Sequence, residues 1–256
     1  MSYPGGKGAS GVAQKIISLM PPHKFYGELF AGAGYIFKTK KPAKVNLAID
    51  VDPDVVKKIN PIGKIDENEF ITWTENGCEF NVGRYSALEW IEKRGDWYKD
   101  ALIYLDPPYL PSTLSRQKNS VRNGQRYKYK FGVEAHQRLL ELITSLKCMV
   151  MISGYESTMY DRALSDPTWT RKTFMASTRN GMREEVVWMN FNPDSISQRH
   201  DWRFFGDSFR ERERLQKKLK RLRRKLTEVN VFERNYLLDG ISDLYEQSHT
   251  ELSMPK

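Results

Sequence analysis

The feature that most constrains the fold is a series of short, continuous apolar runs in the first 190 residues, separated by segments with helical periodicity. A strand that is apolar along its whole length is covered on both faces, as in a parallel sheet between helices. Strands that alternate with helices are typical of a doubly wound α/β fold. The predicted strands are 24–30, 44–49, 79–82, 101–105 and 148–152, and the clearest helix is 133–146.

Two later regions depart from this alternation. Two β-rich runs within 169–191 flank Asn180-Gly181, a dipeptide typical of hairpin turns, so we predict an antiparallel pair at one edge of the sheet. A single long helix is predicted for 207–229, followed by a shorter helix over 231–244 that folds back. The long helix carries a narrow apolar seam, which we expect to pack on the rest of the protein rather than to form a dimer: Leu215, Leu219, Leu222, Leu226 and Val229.

The net charge of +9 is concentrated in two segments. Residues 199–227 hold twelve Lys and Arg against four Asp and Glu, and residues 110–131 hold six Lys and Arg and no acid. Basic surfaces on an otherwise mildly acidic protein are typical of nucleic-acid binding. A solvated helix and a solvated loop are the alternative interpretation of the same charges.

Cysteine content and hydropathy argue against a secreted disulfide-rich domain and against a membrane protein. Two cysteines, Cys78 and Cys148, cannot form a disulfide framework, which favours a reducing cytoplasm, and their spacing predicts no metal site. The longest apolar runs are about five residues, whereas a membrane helix needs roughly 20. We therefore expect a cytoplasmic protein without a membrane partner.

A glycine-rich turn follows the first predicted strand. In FAGAG, Gly32 and Gly34 allow the backbone to approach a ligand closely. Asp50 ends the second predicted strand, where a carboxylate accepts hydrogen bonds from ribose hydroxyls. The third glycine of the dinucleotide fingerprint is missing, which favours a nucleoside cofactor over a pyrophosphate. Asp52 and Asp54 are alternative ribose acceptors, although we expect them to cap the next helix.

The most specific motif is LDPPY, at the end of the fourth predicted strand. The strand delivers Asp106 to the carboxyl edge of the sheet, and Pro107 and Pro108 fix the backbone after it. A carboxylate and backbone carbonyls can bind the two hydrogens of an aromatic amine and draw its nitrogen toward tetrahedral geometry. Tyr109 offers a ring on which the base can stack. The motif thus predicts chemistry at an exocyclic amine; a rigid turn with an incidental aspartate is the structural alternative.

These motifs occur in the order found in Dam-like N6-adenine DNA methyltransferases, which the chain resembles over most of residues 2–190. The resemblance implies a Rossmann-like methyltransferase domain over 1–195, S-adenosylmethionine as cofactor, and a basic helical extension over 196–256, within the same globule or as a small appendage. It also implies catalysis by Asp106, Pro107, Pro108 and Tyr109. By the same resemblance, cofactor contacts are expected from Tyr3, Lys7, Glu28, Phe30, Gly32, Gly34, Asp50 and Asp106.

The chain differs from the family in two places. Ser86, in RYSALEW, stands where many members carry an aspartate near the adenine ring of the cofactor. The segment before LDPPY is also too short for a separate target-recognition domain, as in the compact, phage-type members. Because phosphate contacts carry no sequence information, we predict low or very short sequence specificity.

Double-stranded DNA is the predicted partner, and the DNA must be contacted by the 110–131 segment, the edge hairpin or the basic helix. A disordered, solvated loop is the alternative for 110–131. The expected DNA-binding residues are Arg116, Lys118, Arg122, Arg126, Lys128, Lys130, Arg179, Arg221 and Arg224.

The predicted reaction is methyl transfer from S-adenosylmethionine to the N6 amino group of an adenine flipped out of the duplex. We expect a bacterial or phage-encoded protein that is a monomer or a weak dimer. The same arrangement of groups would serve N4 of cytosine or adenine in RNA, so both remain alternative acceptors. A catalytically silent nucleic-acid-binding module is the alternative from another class.

Overall fold

The computed structural model describes residues 11–59, 69–94, 100–113, 129, 131–178, 181–206 and 208–252. The chain divides into two compact units, residues 1–202 and residues 203–256. The first unit contains the sheet and the second contains two long helices.

The described part of the first unit forms one eight-stranded sheet, in the order β3-β4-β2-β1-β5-β6-β8-β7. Strands β4, β2, β1, β5 and β6 are parallel, whereas β3 pairs antiparallel with β4, and β8 pairs antiparallel with both β6 and β7. The prediction of a doubly wound, mostly parallel α/β sheet with an antiparallel hairpin at one edge is confirmed. The strands are β1 Phe25–Glu28, β2 Val45–Asp50, β3 Phe70–Glu75, β4 Cys78–Arg84, β5 Ala101–Leu105, β6 Met149–Gly154, β7 Thr170–Thr178 and β8 Gly181–Met189.

The strand order reverses direction between β1 and β5. From β1 the chain proceeds outward through β2 and β4, and it later returns to place β5 and β6 on the other side of β1. In open α/β sheets, ligands bind outside the carboxyl ends of the strands at such a reversal. The glycine turn after β1 and the proline turn after β5 both lie at this point.

Strand β3 was not predicted from the sequence. It forms a hairpin with β4 through Asn76-Gly77, whose φ angles of 50° and 75° match a type I′ turn. The same dipeptide predicted the β7–β8 hairpin, but the run before it, FITWTE, is half-exposed and rich in polar residues. An edge strand with little apolar character gives a weak periodic signal.

The two faces of the sheet differ in chemistry. Its apolar face is an extended cluster of aliphatic and aromatic side chains from the strands and from three helices, including Leu47, Ile103, Val150, Trp188, Trp90, Leu139 and Ile143. Its other face, the polar face, also packs aliphatic side chains such as Leu102, Met151 and Val187. It differs in carrying hydroxyl and carboxyl groups among them: Tyr26, Glu28, Tyr104, Ser153 and Glu185. The first-unit helices are α1 Val12–Leu19, α2 Tyr35–Thr39, α3 Pro53–Ile59, α4 Ala87–Lys93, α5 Val133–Thr144 and α6 Thr158–Ala163.

The second unit consists of α7 Phe209–Glu228 and α8 Val231–Leu252. Helix α7 matches the predicted long helix, and Ser208 caps it by accepting a hydrogen bond from the Glu211 amide at 3.1 Å. Helix α8 is longer than predicted. Helix α8 folds back on α7. Leu222 and Leu226 of the seam face Leu237 and Ile241 of α8, and these side chains line a cavity of about 440 Å³.

Candidate active site

The glycine turn is anchored to both neighbours of β1. The Leu29 amide donates to the Tyr104 carbonyl of β5 at 3.2 Å, and the Ala31 amide donates to the Ile49 carbonyl of β2 at 3.0 Å. Gly34 has a φ of +64°, and a Cβ there would lie 2.9 Å from a side-chain carbon of Ile59. The turn therefore requires glycine at this position and brings its backbone to the carboxyl edge of three adjacent strands.

Asp50 is buried at the end of β2 and holds the glycine turn. One of its oxygens accepts the Gly32 amide at 2.9 Å, and the other accepts the Asp52 amide at 2.9 Å. Burial raises the pKa of Asp50, and the backbone amides oppose that shift. Since a carboxylate offers about four lone-pair sites, these two bonds orient it without using all of its capacity. Asp52 accepts the Asp54 amide at 3.0 Å, which is the capping role expected for it at α3.

Asp106 follows β5 and is half-buried, one strand away from the glycine turn. The Ser153 hydroxyl of β6 donates to one of its oxygens at 2.9 Å. The Ser153 oxygen also lies 2.8 Å from the Tyr104 hydroxyl. Because the Ser153 hydroxyl donates its proton to the bond with Asp106, the Tyr104 hydroxyl is the donor and the Ser153 oxygen the acceptor in the second bond. Two buried hydroxyls in series thus fix the direction of the Asp106 carboxylate.

Tyr109 is held at its hydroxyl and at its ring. The hydroxyl lies 2.9 Å and 3.2 Å from the two carboxylate oxygens of Glu185 on β8. The ring centroid is 4.1 Å from that of Tyr155, and the Arg183 guanidinium lies 3.5 Å from the centre of the Tyr155 ring. The edge hairpin therefore reaches the proline turn, which the spacing of motifs along the sequence had not indicated.

Glu28 is buried on the polar face and accepts a hydrogen bond from the Tyr26 hydroxyl at 2.8 Å. Burial raises the pKa of Glu28 to about 8, and the negative charge of Asp106 contributes to the shift. At neutral pH the protonated form of Glu28 therefore predominates.

The other predicted residues have varied positions. Ser86 follows β4 and begins α4 at the same edge of the sheet as Asp50, without a capping hydrogen bond from its side chain. Phe30 packs against the apolar cluster and contacts Phe131 edge-on at 5.2 Å. Pro107 is buried and Pro108 is half-buried.

Of the predicted DNA-binding residues, two lie on a described helix. Arg221 and Arg224 are exposed on α7, and Arg224 pairs with Glu228 at 3.3 Å. The cofactor candidates Tyr3 and Lys7 also fall outside the described residues, as do Arg116, Lys118, Arg122, Arg126, Lys128, Lys130 and Arg179.

Sequence reasoning missed four residues of the site: Ser153, Tyr155, Arg183 and Glu185. Ser153 and Tyr155 stand at the carboxyl end of a buried strand, which is a usable signal because ligands bind at that edge. Glu185 carried another signal, a single acid directly before the apolar run VVWM. Its partner Tyr109 lies 76 residues earlier, and no local pattern links the two.

Within the described ranges, His, Cys, Asp and Glu form no group of three suited to hold a metal ion. None of the helices described is both long enough and apolar enough to cross a bilayer.

No protein-family model matches the sequence, and no curated protein matches it. Among solved structures, Trm1 from Pyrococcus horikoshii with S-adenosyl-L-methionine is 10% identical with a TM-score of 0.41, over 72% of this chain and 56% of that one. TrmN from Thermus thermophilus is 13% identical with a TM-score of 0.40, over 69% and 47%. Magnesium protoporphyrin IX methyltransferase from Synechocystis PCC 6803 with bound SAM is 11% identical with a TM-score of 0.37, over 69% and 74%. The chain thus spans about half the length of Trm1 and of TrmN.

Proposed function

We propose that this protein is an S-adenosylmethionine-dependent methyltransferase that modifies the N6 amino group of adenine in DNA. The observation that carries the proposal is the position of Asp106 at the reversal of strand order, beside the glycine turn that Asp50 holds. A ligand-facing backbone turn and an oriented carboxylate then meet at the edge where open α/β sheets bind their ligands.

The donor set at this edge fits the cofactor. Asp50 is oriented by two backbone amides and suits ribose hydroxyls, and the glycine turn allows close approach of a nucleoside. Glu28 and Asp106 lie close enough to interact electrostatically, and such a pair of carboxyl groups would favour a cationic group of a ligand. When bound, S-adenosylmethionine supplies an electrophilic methyl group. Gly32, Gly34, Asp50 and Ser86 would hold its nucleoside portion.

The residues of the proline turn would activate the acceptor. The Asp106 carboxylate and the Pro107 carbonyl accept hydrogen bonds from the two N–H groups of the adenine amine. These bonds draw the nitrogen lone pair out of conjugation with the ring. Transfer would form a nitrogen–carbon bond while the carbon–sulfur bond of the donor broke, with the electron pair left on sulfur. The nitrogen then loses one proton, and Asp106 is placed to accept it. Positioning of the reactants supplies much of the acceleration.

The aromatic and basic residues support a nucleic-acid substrate. Tyr109 has its hydroxyl and one side of its ring fixed, which suits a platform for a flipped base. Helix α7 carries exposed arginines, including Arg221 and Arg224, that suit phosphates. The arginines would bind the phosphate backbone of the DNA rather than the base edges, which supports low sequence specificity.

The proposal is tested by incubating the protein with methyl-labelled S-adenosylmethionine and one of three substrates: random-sequence duplex DNA, single-stranded DNA or RNA. Digestion to nucleosides and mass spectrometry identify the product. The expected product is N6-methyldeoxyadenosine from duplex DNA. N4-methyldeoxycytidine, or methyladenosine from RNA alone, would instead indicate the corresponding alternative acceptor.

Cofactor binding separates the enzyme from a silent module. Calorimetry with S-adenosylmethionine should show binding to the wild-type protein and much weaker binding to Asp50→Ala. A protein that binds duplex DNA but neither binds the cofactor nor transfers a methyl group would overturn the proposed activity.

A further inference from the structure

We infer that Glu185 is a positioning residue that sets the orientation of the Tyr109 ring and thereby the rate of methyl transfer. The inference rests on the proposed function, and it assigns a role to the antiparallel edge hairpin that the cofactor side of the site does not need. Glu185 itself does not touch the reacting atoms; it acts through Tyr109.

The contact between Glu185 and Tyr109 is buried and specific. Glu185 is 3% exposed on β8, and both of its oxygens lie within 3.2 Å of the Tyr109 hydroxyl. A buried carboxylate is costly unless it is hydrogen-bonded. A glutamate side chain presents two oxygens to the phenol, whereas the amide of a glutamine presents only one acceptor oxygen. The pair therefore fixes where the hydroxyl end of Tyr109 lies.

A second contact from the same strand fixes the ring. Arg183, two residues before Glu185, lies over Tyr155 and donates to the Thr113 carbonyl just beyond the proline turn. The Tyr155 ring in turn lies against Tyr109 at an interplanar angle of 50°. Residues at i and i+2 of a strand share one face, so a single strand clamps both the hydroxyl and the ring.

This arrangement has a kinetic consequence. A stacking platform must hold its plane within about 10–20° to keep the acceptor nitrogen in line. Weakening of the hydrogen bond to Glu185 loosens the hold on the Tyr109 hydroxyl, so the ring samples other orientations. The cofactor site, formed by β1 and β2, is untouched. The loss should therefore appear in kcat and not in the KM for S-adenosylmethionine.

The test is a double-mutant cycle of Glu185→Gln and Tyr109→Phe, assayed on duplex DNA. Glu185→Gln should lower kcat about tenfold and leave the cofactor KM within about twofold. In the Tyr109→Phe background the same change should have little further effect, since the hydroxyl it acts through is gone. Additive losses, or a loss confined to the cofactor KM, would overturn the inference.

The matched control is Glu184→Gln. Glu184 is the exposed neighbour of Glu185 on the opposite face of β8. The kcat of the Glu184→Gln variant should therefore equal that of the wild type. If Glu185→Gln does not fold, as judged by circular dichroism, Tyr109→Phe tests the same contact from the other side with the ring retained. It should show the same split between kcat and KM, and an unchanged kcat would overturn the inference.

A readout without catalysis separates this inference from the proposed function. In protein labelled with ¹³C in its tyrosine rings, Tyr109→Phe identifies the Tyr109 resonance. That resonance should shift or broaden in Glu185→Gln and stay unchanged in Glu184→Gln. An identical resonance in both variants contradicts positioning by Glu185. If the wild type methylates nothing, the proposed function fails while the spectra still decide the role of Glu185.

Discussion

The two faces of the sheet in the first unit both bury apolar side chains, yet on one of them the strands also bury acids and hydroxyls. The apolar face packs α4, α5 and α6 through aliphatic and aromatic side chains. The polar face buries acids and hydroxyls, and Glu28, Ser153 and Glu185 each have a hydrogen-bond partner there. Because an unpaired buried polar group is costly, such groups stabilise less than a hydrocarbon core would. The comparison assigns stability to one face and proposed chemistry to the other.

The largest effect is expected from Asp106→Asn on the polar face. The amide keeps the size of the side chain but removes the charge and one acceptor, so methyl transfer should fall by about 1000-fold or more. Thermal unfolding should change little, because Asp106 is half-buried at a strand end. Labelled methyl transfer and calorimetry measure the two quantities. Near wild-type turnover in this variant would contradict the proposed catalytic role of Asp106.

The opposite result is expected from Ile143→Ala on the apolar face. Ile143 is fully buried in the cluster, and truncation should lower the free energy of unfolding by about 2–5 kcal/mol. The kcat of the folded fraction should stay close to that of the wild type. Urea denaturation followed by circular dichroism gives the stability. A large fall in kcat without loss of stability would contradict the division between faces.

The pH dependence of stability sharpens the comparison, because the polar face should titrate. The pKa of Glu28 is raised to about 8 in the folded protein, above its ordinary value of 4.5. The folded state therefore holds a proton that the unfolded state has lost. The contribution of Glu28 is fully present below pH 4.5 and is lost as the pH rises through 8.

Relative to Glu28→Gln, the wild type should thus lose stability between pH 5 and pH 8, by about 3–4 kcal/mol. Urea denaturation of both proteins across this range measures the difference. Parallel stability curves for the two proteins would contradict a buried, protonated Glu28.

The smallest effect is expected from Ser153→Ala. The variant keeps the fold and Asp106 but removes the hydroxyl that orients the carboxylate. Turnover should fall about tenfold, and stability should fall by about 1 kcal/mol because the hydrogen bond between Tyr104 and Ser153 is lost. Ser153→Thr, which retains a hydroxyl, is the matched control and should recover part of the turnover. Equal losses in the two variants would mean that steric fit, not the hydrogen bond, matters at this position.

The sequence predicted the parts of the fold that follow from local patterns. Apolar runs located β1, β2, β4, β5 and β6, and Asn180-Gly181 located the edge hairpin. Strand β3 was missed because its pairing depends on β4 and not on an apolar face of its own. Helix α8 was predicted too short, because its apolar residues do not follow one clear stripe.

The candidate site was predictable only in part. Asp106 and the glycine turn lie in motifs that a sequence reader can recognise, and parallel pairing of β1 with β5 brings them to one edge. The Ser153–Asp106 and Glu185–Tyr109 bonds join positions 47 and 76 residues apart. Partnerships of this kind depend on strand order and register, which no local pattern specifies.

Strand β8 has a consequence for synthesis on the ribosome. It inserts between β6 and β7, although it is the last strand to leave the exit tunnel. A nascent chain that ends before residue 181 contains Asp106 and Tyr109 but lacks the carboxylate that holds the phenol. Assembly of the proposed catalytic centre is therefore delayed until the sheet is nearly complete, and the unfinished protein exposes the β6 edge until then.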